Sequence, residues 1–203
     1  MISFKANLIN TTTVDRIHPD SSYTRQKVAF VELDHTSDSD IECLKAVNKK
    51  WNRETTFADD ILSDMLSHKT LLEKYDYNEQ LDERRFFAIT RQQSDYSSLN
   101  ATKIIALAEM KKDYDYPYYE LDLLQVKPSL KKGKDSTVRK IKNIGRSMVQ
   151  SILSLYKDKT IIVEPLKSAM GFYDKLGFKL CKETNLSGMF TNKTMAYIRH
   201  LKP

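Results

Sequence analysis

The sequence is poor in the residues that cross-link or interrupt a polypeptide chain. Its 203 residues include two cysteines, five glycines and five prolines. Cys43 and Cys181 lie in no short-spaced motif, and a chain of this length can bury a core without cross-links, so we expect two free thiols. No segment is rich enough in glycine and proline to be a linker, and no repeat is present. These absences exclude a disulfide scaffold and a repeat array.

Long apolar runs are absent as well. The longest apolar stretches, such as residues 104–108, are far shorter than the roughly 20 residues needed to cross a bilayer. The first seven residues lack the apolar run of a secretory signal. We therefore expect a cytoplasmic protein without a membrane segment.

Metal-binding motifs are also missing. The histidines have neither i,i+4 spacing nor a cysteine partner at the spacing of a metal site. We therefore predict no bound metal. The four histidines are His18, His35, His68 and His200.

Positive charge is in excess, with 33 Lys and Arg against 27 Asp and Glu and a net charge of +6. Much of the excess lies between Lys127 and Arg146, where Asp135 is the single acid. Such a patch suits a compact polyphosphate ligand or a nucleic acid, or it is a solvated basic loop. No aromatic residue is interleaved with the lysines of residues 127–142, so a nucleic-acid partner is the least favoured of these.

Hydrophobic periodicity predicts one domain over residues 26–203, preceded by a polar N-terminal arm or irregular lead-in over residues 1–25. Strand pairs come first, and a strand-helix-strand-helix unit follows, which is typical of an α/β fold. The predicted strands are residues 27–33, 85–90, 103–110, 118–126, 160–164, 178–183 and 194–199, and the predicted helices are 40–51, 56–75, 143–156 and 168–176.

The last predicted helix carries a motif. Residues 172–178 read Phe-Tyr-Asp-Lys-Leu-Gly-Phe and follow an apolar strand. This segment resembles the Phe-Tyr-x-Lys-Leu-Gly-Phe sequence of the Gcn5-related N-acetyltransferases, and the wider resemblance covers about residues 85–200. It implies a mixed, mostly antiparallel sheet flanked by helices, in which the fourth and fifth predicted strands splay apart. It also implies transfer of an acetyl group from acetyl-CoA to an amine.

A second segment, residues 140–145, reads Lys-Ile-Lys-Asn-Ile-Gly. It resembles the cofactor turn of that family, Arg/Gln-x-x-Gly-x-Gly/Ala. Asn143 stands where the first glycine is expected, and asparagine tolerates a left-handed backbone better than most residues. Backbone N–H groups at a helix start lack intrahelical partners and can bind a pyrophosphate. The alternative is that Gly145 only lets the helix pack closely. The resemblance implies that CoA is bound by Lys140, Ile141, Lys142, Asn143, Ile144, Gly145 and Arg146, and by the main chain of Leu124, Gln125 and Val126.

The same resemblance implies two catalytic residues. Glu120 corresponds to a catalytic glutamate of some members and is our candidate base, with Glu109 on the preceding strand as its rival. Tyr173 occupies the position of the acid that protonates the departing thiolate. The alternatives are a solubilising carboxylate and an aromatic packing residue. Leu166 departs from the pattern, because many relatives have Asn there.

Three functions stay open at this point. The first is a competent N-acetyltransferase acting on a primary amine of a small molecule or a protein. The second is a degenerate member that binds acyl-CoA without turnover, and the third is a basic nucleic-acid-binding module. Asp113 and Asp115 would suit a cationic acceptor. The sequence does not indicate an oligomeric state.

Overall fold

The computed structural model describes residues 5–51, 57–74, 82–130, 141–180 and 197–199. Two short 3-10 helices, Pro128–Leu130 and Lys167–Ala169, occur in its loops. The α-helices are α1 (Asp38–Trp51), α2 (Phe57–Lys74), α3 (Ile144–Leu155) and α4 (Met170–Asp174). The strands are β1 (Asn7–Ile17), β2 (Tyr23–Leu33), β3 (Glu83–Thr90), β4 (Ile104–Lys112), β5 (Tyr118–Val126), β6 (Ile141–Lys142), β7 (Thr160–Val163), β8 (Lys179–Leu180) and β9 (Tyr197–Arg199).

The described strands form one sheet in the order β6-β1-β2-β3-β4-β5-β7-β9-β8. Neighbouring strands are antiparallel except β5 and β7, which are parallel. Helix α3 is the crossover that this parallel pair requires. The predicted fold class, a mixed and mostly antiparallel sheet flanked by helices, is confirmed.

Each face of the sheet carries its own hydrophobic layer. On one face, Met148 and Ile152 of α3 belong to a cluster with Phe30 and Phe87, whose rings stack 5.2 Å apart. On the other face, α1 and α2 pack on alternate residues of the same strands, such as Phe86. Side chains alternate between the faces of a strand, and this is why neighbours in β3 enter different layers. No helix of the described residues is long and apolar enough to cross a membrane.

The predicted splay is present between β5 and β7. The two strands pair from Tyr118 opposite Thr160 to Leu121 opposite Val163, and there β7 ends while β5 continues to Val126. Residues 122–126 of β5 therefore have no strand partner on that side within the described part of the chain. Apart from the Val126 carbonyl, which accepts a hydrogen bond from the Gln125 side chain, the main-chain groups that point to that side are available to a ligand within the described part of the chain.

The prediction for the N-terminus was wrong. Residues 1–25 were expected to be an arm or irregular lead-in, but β1 pairs with β2 from Asn7 to Ile17. Strand β1 is polar because it lies near the end of the sheet and only Val14 is fully buried. The predicted first strand is thus the second, and it begins at Tyr23. That the chain forms a single domain stays a prediction.

The segment after β7 contains a shorter α-helix than predicted. Residues 168–176 were expected to be one helix, but they divide into a 3-10 turn and α4. The N–H groups of Gly177 and Phe178 donate to the carbonyls of Asp174 and Tyr173, with Gly177 at φ 86°. This bonding is a Schellman motif, in which glycine takes the left-handed position without steric cost. Cys181 lies outside the described residues.

Candidate functional site

A cavity of about 380 Å³ opens where β5 leaves β7. The end of β5, the start of α3 and the helix α4 form its walls. It brings together most of the residues that the sequence predicted for the cofactor and the acid, and it adds Leu130, Ala169 and Phe172, which were not predicted as site residues. The predicted residues that line it are Leu124, Val126, Ile141, Asn143, Ile144, Gly145, Arg146 and Tyr173.

The start of α3 offers backbone donors to this cavity. Asn143 has φ 64° and ψ 11°, and its carbonyl accepts the first helical hydrogen bond from the N–H of Ser147 at 2.8 Å. Its side chain makes no capping bond and donates instead to the Asp15 carboxylate. The first N–H groups of α3 thus have neither an intrahelical partner nor a side-chain cap, as an anion site requires. Asn143 thus adopts the left-handed backbone that asparagine tolerates better than most residues.

Strand β1 holds this helix start in place. Asp15 and Arg16 pair with Lys142 and Ile141 of β6, directly before α3. The Ser147 hydroxyl donates to the Thr13 carbonyl at 2.6 Å. Lys142 itself is exposed and does not line the cavity, and Lys140 lies outside the described residues. The N-terminal strand therefore fixes the turn that the sequence predicted to bind pyrophosphate.

Gly145 faces the cavity from the first turn of α3. A Cβ atom at this position would lie 3.5 Å from Cζ of Phe172 and 3.7 Å from Cγ2 of Val126. Both are ordinary van der Waals distances, so helix packing alone does not require glycine here. A side chain would instead occupy cavity volume, which favours the ligand-binding interpretation of Gly145 over the packing one.

Tyr173 lines the cavity from α4. It is 7% exposed, and its ring packs edge-on against Phe172 and Phe178, with centroids 5.0 and 5.5 Å away. Burial raises the pKa of Tyr173 to about 12. The phenol is therefore protonated at neutral pH and can donate a proton or a hydrogen bond to a group in the cavity. The packing role and the acid role are compatible.

Glu120 lies in β5 opposite Ile162 of β7, one residue before the last pair of these strands. Its neighbours Tyr119 and Leu121 belong to the layer of α3, so Glu120 points to the other face of the sheet. Burial, and then the charges of Asp122 and Glu164, raise the pKa of Glu120 to about 7. A carboxylate with this pKa is suited to accept a proton at neutral pH.

Glu109, the rival base, is engaged in an ion pair. It is fully buried, and its Oε1 accepts a hydrogen bond from Nη1 of Arg84, which also lies 3.1 Å from Oδ2 of Asp64. Burial raises the pKa of Glu109 to about 8, against the opposing effect of Arg84. Carboxylate oxygens of Asp64, Glu109 and Asp122 come within 4.8 Å of one another, and Arg84 supplies positive charge among them. Glu120 makes no ion pair with another described residue, so it is the less constrained of the two candidate bases.

The remaining predicted residues do not line the cavity. Gln125 is buried, does not line it, and donates from Nε2 to the Val126 carbonyl at 2.7 Å. Asp113 and Asp115 form a turn before β5, in which the Asp115 N–H donates to Oδ1 of Asp113. Leu166 is 65% exposed.

Comparisons with known proteins gave structural similarities alone. No family model and no curated protein matches the chain. The PaiA N-acetyltransferase of Thermoplasma acidophilum, solved with coenzyme A, is 16% identical over 85% of this chain and 98% of its own, with a TM-score of 0.48. The Bacillus subtilis N-acetyltransferase YlbP, solved with coenzyme A, is 19% identical over 78% of this chain and 90% of its own, with a TM-score of 0.43. Both proteins are described as N-acetyltransferases.

Proposed function

We propose that this chain is an acetyl-CoA-dependent N-acyltransferase that moves the acetyl group to a primary amine by direct attack. One observation carries the proposal. The free edge of β5, the uncapped start of α3 and the buried Tyr173 all border one cavity. In acetyl-CoA, the pyrophosphate would bind at the start of α3, the peptide-like pantetheine arm would pair with the edge of β5, and the thiol leaving group would lie near Tyr173.

Binding of acetyl-CoA would use main chain more than side chains. The N–H groups of Ile144, Gly145 and Arg146 suit the pyrophosphate, and the Arg146 guanidinium adds positive charge from the cavity wall. The free main-chain groups of residues 122–126 would pair with the amides of the pantetheine arm. An N–H group of this segment would also stabilise the thioester oxygen as charge develops on it.

The proposed reaction uses Tyr173 as the acid and Glu120 as the base. The amine nitrogen attacks the thioester carbonyl carbon, the C–S bond then breaks, and the thiolate takes a proton from Tyr173. The attacking nitrogen must lose a proton, and Glu120 accepts it directly or through water. Tyr173 and Glu120 belong to opposite faces of the sheet, so the acetyl group would lie in the gap between β5 and β7, with the acceptor entering from the side of α1 and α2.

The first experiment is thermal unfolding with and without acetyl-CoA and CoA. A ligand that binds only the folded chain stabilises it by about 2.7 kcal/mol at 100 times its Kd. We expect a clear rise in Tm that is reduced in Arg146→Glu. The matched control is Lys157→Glu, which makes the same charge change at an exposed residue beyond the other end of α3.

Release of CoA in the presence of a panel of amines then tests turnover. Binding with amine-dependent release supports the acyltransferase. Binding without release from any amine would leave the degenerate acyl-CoA-binding module. No rise in Tm at millimolar ligand would contradict both.

A further inference from the structure

A second cavity, of about 620 Å³, adjoins the first. The two cavities share Leu130 and Ile141 in their walls. The second extends from there over the hairpin of β1 and β2, where Arg16 and Gln26 line it, and reaches Arg91 just beyond β3. A ligand bound at the start of α3 could therefore continue into it.

The charge of the second cavity is positive. Arg16 and Arg91 line it, and no acidic residue is among the described residues of its wall. Neither guanidinium makes an ion pair with another described residue. Lys127 lies close enough to Arg91 to respond to its charge, because burial, Arg91 and Lys50 lower the pKa of Lys127. Positive groups that repel one another without a counterion favour an anionic ligand.

The position of Arg16 relates this charge to the first cavity. Arg16 lies opposite Ile141 in the β1–β6 pair, and Ile141 is two residues before Asn143 and the start of α3. Paired strands lie roughly 5 Å apart, so an extended arginine at this register position can approach a group next to the pyrophosphate site. The planar guanidinium forms paired hydrogen bonds with a phosphate.

The rest of the wall suits an aromatic ring. Much of it is apolar, contributed by Ile17, Pro19, Leu130 and Ile141. An apolar wall with two arginines fits a ligand that carries a phosphomonoester beside a purine base. In CoA, such a group is attached to the far end of the pyrophosphate.

We propose that the second cavity binds the 3′-phosphoadenosine end of CoA, with Arg16 and Arg91 holding the 3′-phosphate. The inference rests on the proposed function, since it takes CoA as the donor. It goes further by assigning a phosphate site to two arginines outside the helix start. Arginines from β1 and from the end of β3 would thus share in donor recognition.

The test compares the Kd of CoA with that of 3′-dephospho-CoA by titration calorimetry on the full chain. The wild type should bind CoA about tenfold or more tightly, because a charge-assisted hydrogen bond contributes at least that much to binding. Arg16→Gln and Arg91→Gln should each weaken CoA binding and leave 3′-dephospho-CoA binding unchanged. The Tm of each variant without ligand checks that the fold is intact.

Arg25→Gln is the matched control. Arg25 lies in the same hairpin opposite Asp15, so it points to the opposite face from Arg16, and its removal should change neither Kd. Equal wild-type affinity for the two ligands, or an equal loss for both in the variants, would overturn the inference and leave the proposed function standing. Failure of the wild type to bind either ligand would overturn the proposed function as well.

Discussion

The side-chain amide of Asn143 at the start of α3 donates a hydrogen bond to the carboxylate of Asp15 in β1. These residues are 128 positions apart in the chain. The bond holds the left-handed Asn143 against the N-terminal strand. It also turns the amide away from the first N–H groups of α3, which remain open to an anion.

Substitutions of Asn143 should therefore show how much its left-handed backbone and its side-chain hydrogen bond each contribute to the free energy of unfolding. Asn143→Gly keeps the left-handed backbone and should change the free energy of unfolding by less than about 1 kcal/mol. Asn143→Val should lower it by about 2 kcal/mol or more, because a β-branched residue is strained at positive φ. Urea denaturation measures both. Asp15→Ala removes only the hydrogen bond and is the control, and equal stability of the Val and Gly variants would contradict the conformation.

Gly145→Ala should affect stability and ligand affinity in opposite directions. The added methyl meets Phe172 and Val126 at ordinary contact distances, so folding should be unchanged or favoured by up to about 1 kcal/mol. The same methyl occupies the cavity and should weaken CoA binding several-fold. Chemical denaturation and calorimetric titration of the same preparation measure the two effects. Unchanged affinity would favour the packing interpretation of Gly145.

Tyr173→Phe should reduce turnover without reducing donor affinity. The ring contacts with Phe172 and Phe178 are kept, while the proton donor is lost. We expect kcat to fall by about 100-fold, as is typical for removal of a general acid. Steady-state kinetics of CoA release and the Kd of CoA are the measurements. A normal kcat in this variant would leave Tyr173 as a packing residue.

Glu120→Gln should remove a limb of the pH–rate profile. A base acts when ionised, and the pKa of Glu120 is raised to about 7, so kcat/KM of the wild type should rise with pH through about 7. The variant should be about 100-fold slower and lack this rise. In Glu164→Gln the rise should move to lower pH, since the Glu164 charge helps to raise that pKa. A rise that persists in Glu120→Gln would assign the base elsewhere.

Arg84→Met should destabilise the fold. It leaves the carboxylates of Glu109 and Asp64 without their cation. Burial raises the pKa of Glu109 to about 8, so the measurement belongs above that pH, where the carboxylate is ionised and breaking a buried pair typically costs about 3–5 kcal/mol. The double variant Arg84→Met with Glu109→Gln should recover much of that loss, because the buried charge is then gone as well. Guanidinium denaturation of both variants measures the difference. Equal stability of the single and double variants would mean that the pair is not coupled.

The sequence was most informative where a local pattern repeats. Apolar residues at helical spacing predicted α3 nearly to its ends, and the alternating run before Pro128 predicted β5 with its observed bounds. It was least informative at β1, because a strand near the end of a sheet buries one side chain deeply and otherwise resembles a polar loop. The length of α4 was overestimated, because the apolar residues of this segment continue past the helix into a Schellman turn.

By itself, the sequence determined the helix and strand periods, the left-handed tolerance at Asn143 and the motif that contains Tyr173, since each depends on a few neighbouring residues. The tertiary structure decided which of these meet. The pairing of β6 with β1 brings Asp15 to Asn143, and the pairing of β3 with β4 brings Arg84 to Glu109. The parting of β5 from β7 leaves an edge of β5 that borders the cavity lined by Tyr173. Strand order and register arise from the packing of the whole chain, and local spacing does not encode them.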